Sequence, residues 1–429
     1  MPAAHATDGG TPHTLSGPDL FHLLIDRVMR VRGCAGDVSR MVFDLEPGVD
    51  ADTLKDRFAA NALFRWVRAL HWRTAWPGLP RWEFAWDVDT TVPIHQAPDM
   101  DAWTRHQLAV PLMPADGAVR VDIARAPDGR VRLMIALHHV AFDHAGMLRF
   151  LHGLNDGLPE EDRFAPNDVP RPQGEWRDVL AMGATAFRSA GPRMGSLLRG
   201  RKGEAGDPDF HIVRFTPEET ARIDAQARAS GATIGRTTFD LAAIALAMDG
   251  VLQTRGRRPP YLWFSTPIDQ RPRKGPVHLI GNATSFVFFK LHSAELTDMS
   301  TAVKALSGQL ITQVRGGFPT RYRALLRAFR RVPFAAYRIM FNMPSVGRWA
   351  SFAFSDLGDL DRLPTHFFGA RITHVEHYPP VPSPPGLSVV MGREKGGLVL
   401  VIGHRAPALT PEEADGLVSR LRGLLLPPV

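Results

Sequence analysis

IALHHVAFDHAG, residues 135–146, sets three histidines and an aspartate directly behind an apolar run. The residues leading into it form the clearest local pattern in the chain. VRVDIARAPDGRVRLMIALHH alternates apolar and polar residues on both sides of Pro127-Asp128-Gly129, which predicts a β-hairpin over 119–139. On the other side of the histidines, GMLRFLHGLND from Gly146 has a helical period. The histidines therefore sit at a strand end, just before a helix. Side chains alternate along a strand, so His138 and His139 point to opposite faces: one toward a core, the other toward a cleft.

Three chemistries suit such a cluster. A histidine beside an apolar strand is commonly a satisfied structural residue. Imidazole and carboxylate also suit zinc. However, adjacent histidines diverge on a strand, the His-x-His-x-Asp-His pattern of metallo-β-lactamases is absent, and so is a helical His-Glu-x-x-His. His374 and His377 of THVEHY could add ligands, but that stretch reads as an alternating strand, and no metal ligand is assigned. The third reading is proton transfer. Imidazole titrates near neutrality and can deprotonate an attacking alcohol or amine. One base suffices when the electrophile is already activated, as a thioester is. No Gly-x-Ser-x-Gly, P-loop or dinucleotide glycine motif is present, and Cys34 has no supporting context, so direct transfer is the chemistry left.

Composition narrows the class. The chain has 429 residues, 44% hydrophobic and 22% charged, which describes a globular protein large enough for two or three domains. A single cysteine excludes an internal disulfide framework and fits a reducing compartment. MPAAHATDGGTPHT reads as a loose tail without signal-peptide character, and LAAIALAM, flanked by Asp240 and Asp249, is too short to span a bilayer. The expected location is cytoplasmic, with a peripheral membrane contact left open. The net charge of +7 favours anionic partners, but without a basic tail, zinc-finger spacing or RNP-like strand nucleic acid is not expected.

Outward from the hairpin, DLFHLLIDRVM predicts a helix, RMVFDLE a strand, and VDADTLKDRFAANALFRWVRAL one long helix capped by Asp50. The expected organisation is an N-terminal lobe at 1–175, a crossover at 176–209 and a C-terminal lobe at 210–429. TPEE at 216–219 and again at 410–413 predicts two capped helix starts. Strands are expected at PYLWFSTPI, ATSFVFFKLH, SFAFSDL, FGARITHVEHY, LSVVMGRE and GLVLVIGH. RYRALLRAFRRVPFAAYRIMF places Arg323, Arg327 and Arg331 at i, i+4 and i+8, a basic face suited to an anion, with Leu325, Leu326 and Phe329 opposite. Such a helix could lie on a membrane surface or meet a phosphorylated carrier or coenzyme.

These residues, taken together, resemble a known superfamily. HHVAFDH is similar to the HHxxxDG motif of chloramphenicol acetyltransferase-like enzymes, which include nonribosomal peptide condensation domains, wax ester synthases and polyketide-associated acyltransferases. STPIDQR, GNATSFVFF, FSDLGDL and ARASGATIGRTTFDLAAIALAM resemble further segments of that superfamily. The resemblance implies an α/β (α+β) fold of two lobes, each a mixed sheet flanked by helices, with a tunnel between them. It implies that His139 and Asp143 are the motif's catalytic pair, with His139 the base and Asp143 acting through an arginine, here Arg271. His138 and Gly146 would be structural. His144 stands where the motif has glycine and would line the acceptor tunnel. Thr284, Ser285 and Ser355 are candidate oxyanion or substrate contacts, and Arg323, Arg327 and Arg331 candidate contacts to a donor anion.

The expected activity is acyl transfer from a thioester to a hydroxyl or amine. No cofactor would be bound permanently; acyl-CoA or a phosphopantetheinyl thioester would be the co-substrate. The partners would be a small-molecule acceptor and an acyl or peptidyl carrier protein. Two other readings stand beside it: a non-catalytic recruitment module that binds a carrier protein, and a metal-dependent hydrolase built on the histidine cluster.

Overall fold

The computed structural model describes residues 13–427 except 75–77, 114–115, 167–175, 183–190, 192, 199–204, 233, 273, 334–335 and 337–349. Most of the expected N-terminal tail, parts of the crossover and the end of the basic stretch lie outside the described residues. The first half contains α1 (Gly17–Val31), β1 (Val38–Leu45), α2 (Ala51–Ala60), α3 (Ala62–Ala69), β2 (Leu70–Arg73), β3 (Arg81–Phe84), β4 (Ile94–Gln96), α4 (Met100–Ala109), β5 (Val119–Arg125), β6 (Val131–His138) and α5 (His144–Asp156). A helix over 176–182, α6, lies in the crossover. The second half adds β7 (Pro208–Arg214), α7 (Pro217–Ala229), α8 (Thr237–Thr254), β8 (Tyr261–Asp269), β9 (Thr284–His292), α9 (Met299–Arg315) and α10 (Phe318–Phe329). It ends with β10 (Ala353–Asp359), β11 (His366–Phe367), β12 (Ala370–Tyr378), β13 (Leu387–Glu394), β14 (Gly397–Arg405) and α11 (Pro411–Leu425).

Two six-stranded mixed sheets organise these elements, one per lobe, in the orders β11-β12-β1-β6-β5-β4 and β7-β14-β13-β10-β8-β9. The β5–β6 hairpin pairs Val119 with Leu137 and Arg125 with Val131, as its alternation predicts. In the first lobe Phe43, Phe58, Phe64 and Phe150 are buried between sheet and helices. In the second, α8 is apolar nearly all round and forms the centre of the core, packed with Leu417 and Leu421 of α11 against Leu398, Leu400 and Ile402 of β14. LAAIALAM is thus a core helix, and no described helix is long and apolar enough to cross a membrane. Both TPEE segments form capping boxes, Thr216 with Glu219 and Thr410 with Glu413.

The structure departs from the sequence reading in two places that shape the site. The single helix expected over 49–70 is broken at Asn61, which ends α2 in an extended conformation and caps α3 by accepting the Phe64 N–H. An asparagine satisfies helix ends as readily as it sits inside a helix, so periodicity alone runs through it. The second departure is a crossover: β12 pairs antiparallel with β1, Met41 opposite His377, so residues 366–378 of the second half complete the first sheet. Alternation marks a strand but does not name its partner.

Candidate active site

The two motif histidines leave the end of β6 in different directions. His138 is buried, its Nδ1 accepting the Val140 N–H at 3.2 Å and its Nε2 lying 3.3 Å from Asp26 Oδ1, with the Trp72 ring edge-on at 4.7 Å. Burial alone would raise the Asp26 carboxyl, but contact with His138 and Arg30 holds it well below the usual carboxylate range. Asp26 also accepts the Asp37 N–H at 2.9 Å and the Arg30 Nε–H at 2.8 Å. His138 is therefore part of a polar joint between β6, α1 and the loop before β1.

His139 is half-buried, and its backbone N–H donates to Asp37 O at 2.9 Å. Its ring stacks on His22 of α1, centroids 4.1 Å apart and planes 2° from parallel, while His22 Nδ1 meets Asp37 Oδ2 at 2.9 Å. Its own Nδ1 is buried with no hydrogen-bond partner among the described residues. Burial, reinforced by His22, pushes the His139 imidazole down to about 4, so the ring is neutral near pH 7.

Asp143 caps α5 and reaches the second lobe. Its Oδ1 accepts the Gly146 N–H at 3.0 Å, its Oδ2 accepts the Ala283 N–H at 3.0 Å, and Arg271 Nη2 lies 2.9 Å from Oδ2. Gly146 is required by approach rather than by dihedral: a Cβ there would lie 2.6 Å from Leu279 O. Asn282, in GNATS, clamps the same turn from the opposite side. Its Nδ2 donates to Asp19 Oδ1 at 2.8 Å, Val140 O at 2.9 Å and His139 O at 3.1 Å. The HH-to-D segment is thus held by Asp143 and Asn282 against the strand entry of β9, so two distant parts of the chain set its geometry.

His144 is the first residue of α5 and is not among the residues with positive φ, so the position does not demand glycine. Its ring is driven toward the neutral form by burial, opposed by Asp143. His377 of β12 is buried with neither ring nitrogen hydrogen-bonded among the described residues, and burial, then the neighbouring His144 and His139, pushes it down to about 3. Three neutral imidazoles, His139, His144 and His377, therefore share one neighbourhood. A cavity of about 180 Å³ between the sheets reaches His377, with Val375 on the same strand and Ile212, Met391 and Val401 from the second sheet.

The remaining expected residues fall differently. Ser285 is fully buried and its Oγ donates to Pro319 O at 2.6 Å, so its proton is engaged within the fold. Thr284 and Ser355 are half-buried at the start of β9 and in β10, and their hydroxyls have no partner among the described residues. Arg323, Arg327 and Arg331 do not form one helical face: α10 ends at Phe329, Arg331 lies beyond it, and Arg323 and Arg327 are half-buried. Arg330, between them, is buried and donates to Leu15 O at 2.9 Å. The apolar side of α10 is not free for a bilayer either. Leu325 and Leu326 pack with Met182 of α6, and Leu326 backbone atoms come within 3 Å of where a Cβ on Gly17 of α1 would stand. The spacing described the sequence, but helix length and tertiary burial decided which faces exist. His374 binds Glu376 at 3.3 Å, apart from His377. Among the described residues, the motif histidines and Asp143 do not bring three ligand atoms together.

Sequence reasoning missed His22 and Asp37, did not single out Asn282 within GNATSFVFF, and weighed His377 only as a metal ligand. A signal for the first existed: Asp19, His22, Asp26 and Arg30 recur at i, i+3, i+7 and i+11 on α1, and the first three are buried. A buried polar stripe on an amphipathic helix implies partners across the interface. His377 had no such signal, because its neighbourhood depends on the β12 crossover.

No family profile matches the chain, and no curated protein does. Solved structures do. The first condensation domain of the calcium-dependent antibiotic synthetase, bound to a substrate analogue, superposes with a TM-score of 0.68 at 15% identity, covering 97% of this chain and 96% of that one. The trichothecene 15-O-acetyltransferase TRI3 from Fusarium sporotrichioides gives 0.69 at 12% identity over 99% of both chains. Polyketide synthase associated protein 5 from Mycobacterium tuberculosis gives 0.59 at 16% identity, covering 96% of this chain and 98% of that one.

Proposed function

We propose, from a two-lobed fold of the condensation-domain and chloramphenicol acetyltransferase-like type, that this chain transfers an acyl group from a thioester to a hydroxyl or amine. The observation that carries the reading is His139: a neutral, half-buried imidazole at a strand end, stacked on His22, with Asp143 paired with Arg271. A neutral ring accepts a proton; a protonated one does not.

His139 takes the proton of the acceptor O–H or N–H as the acceptor's lone pair attacks the thioester carbonyl carbon. The tetrahedral oxyanion is met by backbone N–H groups or by the Thr284 and Ser355 hydroxyls. Collapse re-forms the carbonyl and breaks the C–S bond, and the proton on His139 passes to the departing thiolate. The acyl donor is coenzyme A or a phosphopantetheinylated carrier protein, and Arg323 and Arg327 of α10 are the candidate contacts for its phosphates. Incubation with a panel of acyl-CoAs and acyl carriers plus candidate acceptors, read by intact mass spectrometry and product mass, tests the reading. Loss of the acyl mass from the donor with gain on the acceptor supports it; no transfer from either donor class across the panel overturns it.

The protonation of His139 sets the pH profile. With the base at about 4, kcat/KM stays level from about pH 8 to pH 5 and then falls about tenfold per unit below pH 4. Folding adds a second acid effect of the same sign. His139, His144 and His377 are all held neutral by burial, so between their folded values and the ordinary histidine range near 6.5 the unfolded chain binds more protons. Stability is therefore highest above about pH 6.5 and declines as pH falls. Initial rates after pH jumps, with circular dichroism on the same samples, separate the two. A break in kcat/KM near pH 6.5 with the fold intact would assign the base to a group other than His139.

His144 governs the acceptor side. Because its backbone is ordinary helix, His144→Gly removes an imidazole without relieving strain, at about 1 kcal/mol or less of helix propensity. The expected result is retained rate with small acceptors and a gain with bulkier ones, measured as kcat/KM over acceptors of graded size. Superimposable size profiles for the two forms would place His144 outside the acceptor path.

A further inference from the structure

The second sheet carries a separate polar cluster at the end of its helix-covered face. On β14 the buried row Leu398, Leu400 and Ile402 ends in His404, and on β7 the same face presents Val213, His211 and Asp209. Register puts Asp209 directly opposite His404 and His211 opposite Ile402, so all three side chains share one face. One ligand atom from each of Asp209, His211 and His404 falls within 4.8 Å of the others. His404 Nε2 lies 3.7 Å from Asp209 Oδ2, and Asp209's other oxygen, Oδ1, accepts the Phe210 N–H at 2.9 Å. From α11, Asp415 Oδ1 lies 3.9 Å from His211 Nδ1.

His404 makes the cluster more than a chance grouping. Its side chain is 5% exposed, yet neither ring nitrogen has a hydrogen-bond partner among the described residues. An imidazole placed at the end of an apolar row, with both nitrogens unused and a carboxylate facing one of them, has the chemistry of a ligand awaiting its ion. We propose that Asp209, His211 and His404 bind a divalent transition-metal ion of the zinc class, with Asp415 or a water completing the shell. Two imidazole nitrogens and one or two carboxylate oxygens select Zn²⁺ over Mg²⁺ or Ca²⁺, which prefer oxygen throughout. Ligand atoms about 2.0–2.1 Å from a tetrahedral zinc stand about 3.3 Å from one another, so the 3.7 Å separation needs only a small side-chain adjustment. Asp209 and Asp415 are mostly exposed and provide the entry side. The ion would tie edge strand β7 to β14 and to the first turns of α11. Its role is structural and stands independently of the proposed acyl transfer.

The test uses the full-length chain stripped with a chelator, dialysed and titrated with Zn²⁺ by calorimetry. One equivalent should bind, with a rise of about 2–4 °C in the thermal midpoint at saturating ion. Co²⁺ in its place should show the visible d–d bands of a tetrahedral complex. Asp209→Asn and His404→Ala should each remove the equivalent and the thermal shift; Asp209, being exposed, keeps the test decisive if His404→Ala does not fold. Absence of stoichiometric binding overturns the proposal. So does binding that survives Asp209→Asn and His211→Gln, or binding that is lost instead in His139→Ala.

Discussion

Replacing His139 with alanine is expected to lower kcat by about 10²–10⁴ while leaving the fold in place. The size reflects the loss of a positioned proton acceptor, since among the described residues the neighbouring imidazoles are held elsewhere, His22 by α1 and its contact with Asp37. His144 sits on the first turn of α5 and His377 on β12, each fixed by its own element. The fold survives because the backbone contacts of residue 139 remain: its N–H still donates to Asp37 O and its carbonyl still accepts from Asn282. The structural loss is the stack on His22. Circular dichroism and thermal midpoint near the parent values, with single-turnover rates down by the stated factor, is the expected pair of results. A variant with near-parental turnover would remove His139 from the chemistry.

Asp143→Ala acts on stability as much as on rate. The side chains of Asp143 and Arg271 are 7% and 12% exposed, and removing one member of such a pair costs about 3–5 kcal/mol because the other charge stays buried. Asp269, 3.3 Å from Arg271 Nη1 but largely exposed, offsets part of that loss. Two further bonds disappear with the carboxylate: the N-cap of α5 at Gly146 and the acceptor for the Ala283 N–H. Asp143→Asn separates these effects, since asparagine still caps a helix but carries no charge to meet Arg271. The expected order of thermal midpoints is parent, then Asn, then Ala, with turnover in the same order. A parental midpoint in Asp143→Ala together with abolished turnover would place the carboxylate in direct contact with the reacting groups.

Much of this arrangement is local and could be read from residues alone. The β5–β6 hairpin, the strand end bearing His138 and His139, and the capping boxes at 216–219 and 410–413 all depend on alternation or turn and cap chemistry within a short window. His138 ends β6 and His139 lies just past it, and the two rings meet different partners.

Tertiary structure decided the rest, because it depends on which elements meet. That β12 crosses into the first sheet, bringing His377 beside His139 and His144, is a choice of strand partner that no local pattern encodes. Ser285 looked like a donor by type, but the approach of Pro319 engages its hydroxyl. The arginine spacing at 323, 327 and 331 presumed a helix longer than α10, whose apolar side is covered by α1 and α6. The sequence by itself determined that His139 stands at a strand end, just before a helix. Only the packed molecule set its charge state, since burial by distant parts of the chain, with His22 of α1 stacked against the ring, holds the His139 imidazole toward the neutral form.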